Sequence, residues 1–183
     1  MLSRVCLSCV LAIQALSLTG LRGAEVRLQK THLCCGACAA AVRKSLDGVP
    51  GVTKVQCDVN TKSVSFQAGN AKNASAGVKA LAAAGFFGKA SYADRPLTLP
   101  DSGAKNAPKS DTLVLTGLHV CCNACVTAVH KTLTEVKGVA VIEIDRNQRT
   151  AKLVGEAIVP SVAVRALNRA GFYGRVAAPK KPR

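Results

Sequence analysis

Two short segments of the chain carry the residues best suited to chemistry, which are two groups of three cysteines with the spacing Cys-Cys-x-x-Cys. They are Cys34, Cys35 and Cys38, and Cys121, Cys122 and Cys125, and a histidine stands two positions before each group, at His32 and His119. A Cys-x-x-Cys pair at the start of a helix puts two sulfurs within reach of one ion, and the helix N-terminus stabilises thiolates. Thiolates bind soft metal ions, so each segment predicts a metal site.

The donor types rank the candidate ions. The soft ion Cu(I) is the first expectation, with Zn(II), Cd(II) or Hg(II) as alternatives, because all of them accept thiolate ligands. The only methionine is Met1, which leaves no thioether ligand for copper. Three thiolates and one imidazole form a tetrahedral set of the Zn(II) type, whereas Cu(I) needs only two or three sulfurs. The sequence alone therefore leaves the metal open.

The two segments belong to an internal repeat. A shift of 87 residues superimposes the two cysteine groups and continues through pairs such as Val42 with Val129 and Asp58 with Asp145. Such self-similarity indicates a tandem duplication. We predict domains at residues 25–93 and 111–177, an extended Pro-containing linker at residues 94–110, and a disordered basic tail at residues 178–183.

Each repeat has the same order of apolar periodicities. Alternation predicts a first strand at residues 25–30 and 112–116, and the cysteine loop follows it. Helical spacing predicts a first helix after this loop, followed by two strands joined by a hairpin. A second helix, which ends at Gly85 or Gly171, and a short last strand complete the repeat. The order β-α-β-β-α-β predicts an α+β class with two tandem ferredoxin-like units, each an antiparallel sheet with both helices on one face.

With this topology around its cysteines, the sequence resembles the heavy-metal-associated domain family, found in copper chaperones, copper-transporting ATPases and periplasmic mercury-binding proteins. The resemblance rests on the two Cys-x-x-Cys copies and on the pairs Gly85-Phe86 and Gly171-Phe172. It implies that the metal ligands are Cys35, Cys38, Cys122 and Cys125. It also implies a protein that is not an enzyme and that takes metal from a donor protein or passes it to an acceptor protein.

Four further residues depart from the family pattern and are additional candidate ligands, namely Cys34, Cys121, His32 and His119. Neighbouring residues of an extended segment point in opposite directions, so Cys34 and Cys35 are not expected to face one ion without a turn. The histidines are expected to lie in the loop facing solvent, with coordination as the alternative. Cys57 is expected to be a buried, inert thiol, and His130 a solvated helix residue.

The N-terminus has the layout of a secretory signal peptide, with Arg4 before an apolar run and small residues up to Ala24. We therefore expect a periplasmic or extracellular protein cleaved after Ala24, with an uncleaved anchor as the alternative and no membrane span after cleavage. Loss of Arg4 and Arg22 leaves 23 basic and 10 acidic side chains, a net charge of +13. Such a charge favours acidic partners or anionic surfaces.

Other functions fit the sequence less well. Nucleic-acid binding is disfavoured by export and by the scarcity of aromatic residues that stack bases. A thiol-disulfide redox protein is the main alternative, because Cys-x-x-Cys pairs also exchange disulfides. A structural module with oxidised cysteines is a further alternative, although so small a disulfide loop stabilises little. The oligomeric state is left open.

Overall fold

A computed structural model describes residues 23–178 of the chain. Almost all of the predicted signal peptide and of the predicted basic tail lies outside these residues, so both remain predictions. Within residues 23–178, no helix has both the length and the apolar character needed to cross a membrane.

The first unit contains four strands and two helices. They are β1 (Ala24–Gln29), α1 (Gly36–Leu46), β2 (Val52–Asp58), β3 (Ser63–Ala68), α2 (Ala71–Ala83) and β4 (Lys89–Tyr92). The strands pair antiparallel in the order β2-β3-β1-β4, so β1, which leads into the cysteine loop, is a central strand. The cysteine loop is thereby held at one end of the sheet, between a paired strand and a helix.

Part of the predicted extended linker is folded, so the prediction of a free tether is wrong for that part. Strand β5 (Arg95–Leu97) pairs antiparallel with β4. The turn between them places Ala93 and Asp94 at φ of 48° and 61°, which is the conformation of a tight two-residue hairpin. Ala93-Asp94 lacks the glycine that signals such a turn, so the hairpin is not visible in the sequence. Pro96 fits because β5 lies at the edge of the sheet.

The second unit repeats the first. Its elements are β6 (Ser110–Thr116), α3 (Asn123–Thr134), β7 (Val139–Asp145), β8 (Thr150–Ile158), α4 (Pro160–Arg169) and β9 (Arg175–Val176). The strand order β7-β8-β6-β9 is that of the first unit, again antiparallel. The predicted α+β class, with two ferredoxin-like βαββαβ units in tandem, is confirmed.

Each core lies between the sheet and its two helices, as the periodicities require. In β1, Val26 and Leu28 are buried while Arg27 between them is exposed. In α1, the buried residues Cys38, Val42 and Leu46 recur every four positions and form one helix face. Burial of this face fixes the rotation of α1 about its axis, and it therefore turns Cys38 inward.

The two units meet through the loops that contain the cysteines and the glycine-aromatic pairs. The backbone nitrogens of His32 and Phe87 both donate to the Gly171 carbonyl, at 3.1 and 3.0 Å, and that of Tyr173 donates to the Gly85 carbonyl at 2.9 Å. An isolated antiparallel bridge joins Phe86 to Phe172. These contacts relate the units by an approximate two-fold arrangement and bring their cysteine loops face to face.

Candidate metal centre

The cysteine loops are positioned by the helices that follow them. Cys35 and Cys122 are the N-cap residues of α1 and α3, and neither makes a side-chain capping hydrogen bond. Cys38 and Cys125 lie in the first helical turn and are fully buried. Each motif thus presents one sulfur at the helix entrance and one inside the protein, both next to the positive end of a helix dipole.

The six sulfurs of the two motifs form a single cluster. Within a motif, Cys34 Sγ lies 3.5 Å from Cys38 Sγ, and Cys121 Sγ lies 3.7 Å from Cys125 Sγ. The remaining Sγ–Sγ contacts are Cys34–Cys35 at 3.8 Å, Cys34–Cys122 at 3.7 Å, Cys34–Cys125 at 3.6 Å, Cys38–Cys121 at 3.8 Å, Cys38–Cys125 at 3.9 Å and Cys122–Cys125 at 3.6 Å. The two sites expected from the sequence are therefore one centre.

The sulfur spacing suits metal coordination. Four thiolates placed tetrahedrally at about 2.3 Å from one ion lie about 3.8 Å from each other. The contacts among Cys34, Cys38, Cys121 and Cys125 range from 3.5 to 3.9 Å. A disulfide requires about 2.05 Å, and all seven cysteines of residues 23–178 carry free thiols.

The prediction that Cys34 and Cys35 point in opposite directions is wrong. The alternation of side chains holds for a strand, but β1 ends at Gln29 and residues 31–34 are irregular loop. The sulfurs of Cys34 and Cys35 therefore lie on the same side, 3.8 Å apart. Together with Cys122 Sγ they form a group of three possible ligands, all within 4.8 Å of one another, at the more exposed edge of the cluster.

The histidines do not face solvent, so that prediction is also wrong. His119 is only 7% exposed, and its ring lies 4.3 Å from that of Phe86. The ring of His32 stacks on Phe172 at 4.1 Å. Each histidine is covered by the aromatic residue of the other unit, a contact that a single repeat cannot reveal.

Each histidine belongs to a four-residue group whose ligand atoms all lie within 4.8 Å of one another. One group is His32, Cys34, Cys38 and Cys125, and the other is Cys38, His119, Cys121 and Cys125. Among residues 23–178, neither histidine Nε2 has a hydrogen-bond partner, although both atoms are buried. These two groups and that of Cys34, Cys35 and Cys122 together contain all eight candidate ligands, but Cys35 shares no group with Cys38, the residue with which the resemblance pairs it.

The thiol pKa values differ across the cluster. The hydrogen bond from Cys125 is the main reason that the pKa of Cys38 is well below its usual value, and the same contact raises the pKa of Cys125. A hydrogen bond from the Cys125 backbone N–H lowers the pKa of Cys122 to about 7. Burial raises the pKa of Cys34 and brings that of Cys121 to about 12. At neutral pH the metal-free centre therefore holds a thiolate at Cys38 and a partly ionised thiol at Cys122, beside protonated thiols.

Two glycines that the sequence identified as helix ends and as members of the Gly-Phe pairs also make the centre possible. Gly85 and Gly171 have φ of 93° and 84°, in the left-handed region. A Cβ at Gly85 would collide with the backbone nitrogen of His119, and one at Gly171 with that of His32. Glycine is required at both positions because the units touch backbone to backbone. The sequence feature that could have indicated this contact is the Gly-Phe pair, which occurs in both units.

The remaining sequence candidates lie outside the centre. The Cys57 thiol is half-buried against the core, donates to the Ala39 carbonyl at 3.8 Å, and has a pKa raised by burial. His130 is exposed on α3, as predicted. Cys57 is therefore a natural control for the six clustered thiols.

A family model and several solved structures match parts of this chain. Residues 28–86 match the model of the heavy-metal-associated domain. Similar solved structures include the N-terminal domain of PacS from Synechocystis PCC6803, with 24% identity over 38% of this chain and 100% of that one (TM-score 0.34). Oxidised MerP from Ralstonia metallidurans CH34 has 23% identity over 37% and 96% (TM-score 0.35), and the N-terminal soluble domains of Bacillus subtilis CopA have 18% over 86% and 96% (TM-score 0.32). The chain therefore contains a heavy-metal-associated domain at residues 28–86, followed by a second unit with the same topology and cysteine motif.

Proposed function

We propose that the chain is an exported soft-metal-binding protein that sequesters metal or hands it on by thiolate ligand exchange. The observation that carries the proposal is the convergence of six cysteine sulfurs, three from each unit, with contacts of 3.5 to 3.9 Å. Cu(I) is the first candidate ion, with Zn(II) and Hg(II) as alternatives, because thiolate-rich sites select soft ions.

The difference in burial across the cluster supports exchange at one edge. Cys38 and Cys125 are inaccessible, whereas Cys34 is exposed and Cys35 and Cys122 are half-buried. An incoming thiolate from a partner would reach this edge of the cluster first, and would meet there an ion that has Cys34 among its ligands. It would form a bond to the ion as one protein sulfur leaves, so that the number of metal–sulfur bonds is conserved during transfer.

Charge beside Cys121 bears on the partner. A cavity of about 480 Å³ beside Cys121 is lined in part by Lys44, Arg146 and Arg149. Basic side chains on this flank of the cluster would attract an acidic donor or acceptor protein and raise its association rate, more strongly at low salt. We therefore propose an acidic transfer partner, which agrees with the high net positive charge of the chain.

The test is a competitive titration of the full chain, reduced and purified without oxygen. Cu(I), Zn(II) and Hg(II) are each offered against a chromogenic chelator. We expect the protein to withdraw a soft ion from the chelator, and the variant Cys38→Ser/Cys125→Ser to lose this ability. Cys57→Ser is the matched control, because it removes a thiol outside the cluster, and it should bind as the unmodified chain does.

Other outcomes would refute the metal-binding proposal or decide the question of export. A reduced, folded protein that takes none of the three ions from the chelator would refute the proposal. If the same protein also turned over a disulfide substrate, the redox alternative would replace metal binding. Secretion of the chain with its N-terminus processed after Ala24 would support export, and retention in the cytoplasm would contradict it.

A further inference from the structure

We infer that the centre holds two ions that share ligands, rather than a separate ion in each motif, with Cys38 and Cys125 bridging both. His32 and Cys34 complete the coordination of the first ion, and His119 and Cys121 that of the second. The inference rests on the proposed metal-binding function and adds to it a stoichiometry, a ligand set and two bridging thiolates.

The first argument is that two complete ligand groups share two members. Each group contains one imidazole and three sulfurs, the set that four-coordinate soft ions accept. Cys38 and Cys125 occur in both groups, whereas each histidine occurs in only one. A single four-coordinate ion would leave one of the two groups incomplete, so two ions account for both.

The second argument is the distance between the shared sulfurs. Cys38 Sγ and Cys125 Sγ lie 3.9 Å apart. Half of this separation is shorter than a metal–sulfur bond of about 2.3 Å. An ion on either side of the pair can therefore bind both sulfurs at once. The outer sulfurs are placed for this arrangement, since Cys34 lies 3.6 Å from Cys125 and Cys121 lies 3.8 Å from Cys38.

The third argument comes from the histidines. Both Nε2 atoms are buried and lack a hydrogen-bond partner within residues 23–178, which is unfavourable for a polar atom unless it has a ligand. Each ring packs against a phenylalanine of the opposite unit, with His32 stacked on Phe172 and His119 tilted against Phe86. The repeat relates His32 to His119 by the same shift that relates the cysteines. Two oriented imidazoles at corresponding positions of two non-identical units correspond to two ions in similar but distinct surroundings.

The charge balance indicates a suitable probe. Cys34, Cys38, Cys121 and Cys125 bind as thiolates, any thiol proton is released to the buffer, and no electron is transferred. Two divalent ions with four thiolates and two neutral imidazoles have no net charge, whereas two Cu(I) ions leave a charge of minus two. A neutral centre suits a buried position, so Cd(II) is an appropriate ion for the test.

The test is NMR of the reduced full chain titrated with isotopically enriched ¹¹³Cd(II). We expect two resonances that appear together and split each other, because scalar coupling passes through a bridging sulfur. Cys38→Ser should remove both resonances, since the bridge serves both ions. His32→Ala should shift or remove one resonance and leave the second. Cys57→Ser should leave both unchanged.

Other outcomes separate the two proposals. Two resonances without mutual splitting, or the loss of only one in Cys38→Ser, would mean independent sites and would overturn the dinuclear centre while leaving metal binding intact. A single bound ion would overturn it as well. If the chain takes up no Cd(II) and also fails the chelator competition, both proposals fail. The splitting is measured on the unmodified chain, so the test holds even if a variant does not fold.

Discussion

The two cysteine loops have nearly the same sequence but differ in how firmly they are held. In the second unit, the Arg146 guanidinium donates to the Cys121 carbonyl at 2.7 Å and to Asn123 Oδ1 at 3.3 Å. The aligned residue of the first unit is Val59, which has no donor and is 39% exposed. Consistent with this, Cys34 is exposed, whereas Cys121 is half-buried. Duplication has thus produced one anchored half and one accessible half.

The largest expected effect tests how far each half depends on the other. Phe86 and Phe172 are fully buried and each covers the histidine of the opposite unit. Replacement of either by Ala should lower the free energy of unfolding by about 3–5 kcal/mol, because a large buried ring is lost. Chemical denaturation of the metal-free chain measures this. Phe87→Ala is the control and should cost less, because Phe87 is only half-buried. A loss below about 1 kcal/mol at both positions would contradict the packing.

A smaller loss is expected at the glycines that let the units touch. Gly85→Ala acts on the second loop, and Gly171→Ala acts on the first. Each should reduce the free energy of unfolding by about 1–3 kcal/mol, because a left-handed backbone is disfavoured for Ala, with displacement of the opposite loop in addition. Gly36→Ala is the matched control, since a Cβ there meets nothing within 4 Å. Equal stability of all three variants would mean that the units do not pack closely in solution.

A more local effect is expected from Arg146→Ala, which removes the anchor of the second loop. Stability should change by no more than about 1 kcal/mol, since the hydrogen bonds are exposed. Alkylation of Cys121 in the metal-free chain, followed by mass spectrometry, should become several-fold faster. Lys137→Ala, another exposed basic residue, should leave the rate unchanged. An unaltered Cys121 rate in Arg146→Ala would show that the difference between the loops has another origin.

The finest difference is in the pH dependence of thiol reactivity. Since the pKa of Cys122 is lowered to about 7, its thiolate exists at neutral pH in the folded, metal-free chain. Cys34, whose pKa is raised by burial, stays protonated there. Alkylation of Cys122 should therefore be half-maximal near pH 7, while that of Cys34 rises only at higher pH. Because an ordinary thiol titrates near 8.5, the Cys122 thiolate contributes stability above that pH, and this contribution is lost as the pH falls through about 7. Identical pH profiles for both thiols would contradict this.

The sequence predicts what depends on local periodicity. Strand β1 was expected at residues 25–30 and lies at Ala24–Gln29, and the helices end at Gly85 and Gly171 as predicted. These features follow from alternation, helical spacing and glycine chemistry within one repeat. The six cysteines and two histidines could also be selected as candidates, because residue type and spacing limit the possible ligands.

What the sequence could not predict arises between repeats or in segments without a periodic pattern. The burial of His32 depends on Phe172, which lies 140 positions further along the chain. The orientation of Cys34 depends on an irregular loop, for which no period exists. Strand β5 depends on the free edge that β4 offers, not on a turn signal of its own. Long-range packing decided the first, whereas the other two depend on local backbone geometry that no periodicity or turn residue signals.

The folded linker also affects how the centre responds to dilution. Strand β5 continues the first sheet, and Tyr173 Oη of the second unit donates to the carbonyl oxygens of Pro100 and Asp101 at 3.0 Å each. The segment between the units is therefore shortened and attached at both ends. Two domains joined in this way meet at an effective concentration of the order of millimolar, whatever the total amount of protein. A centre built from two separate chains would come apart as the protein became scarce, whereas this one keeps its composition at the lowest abundance.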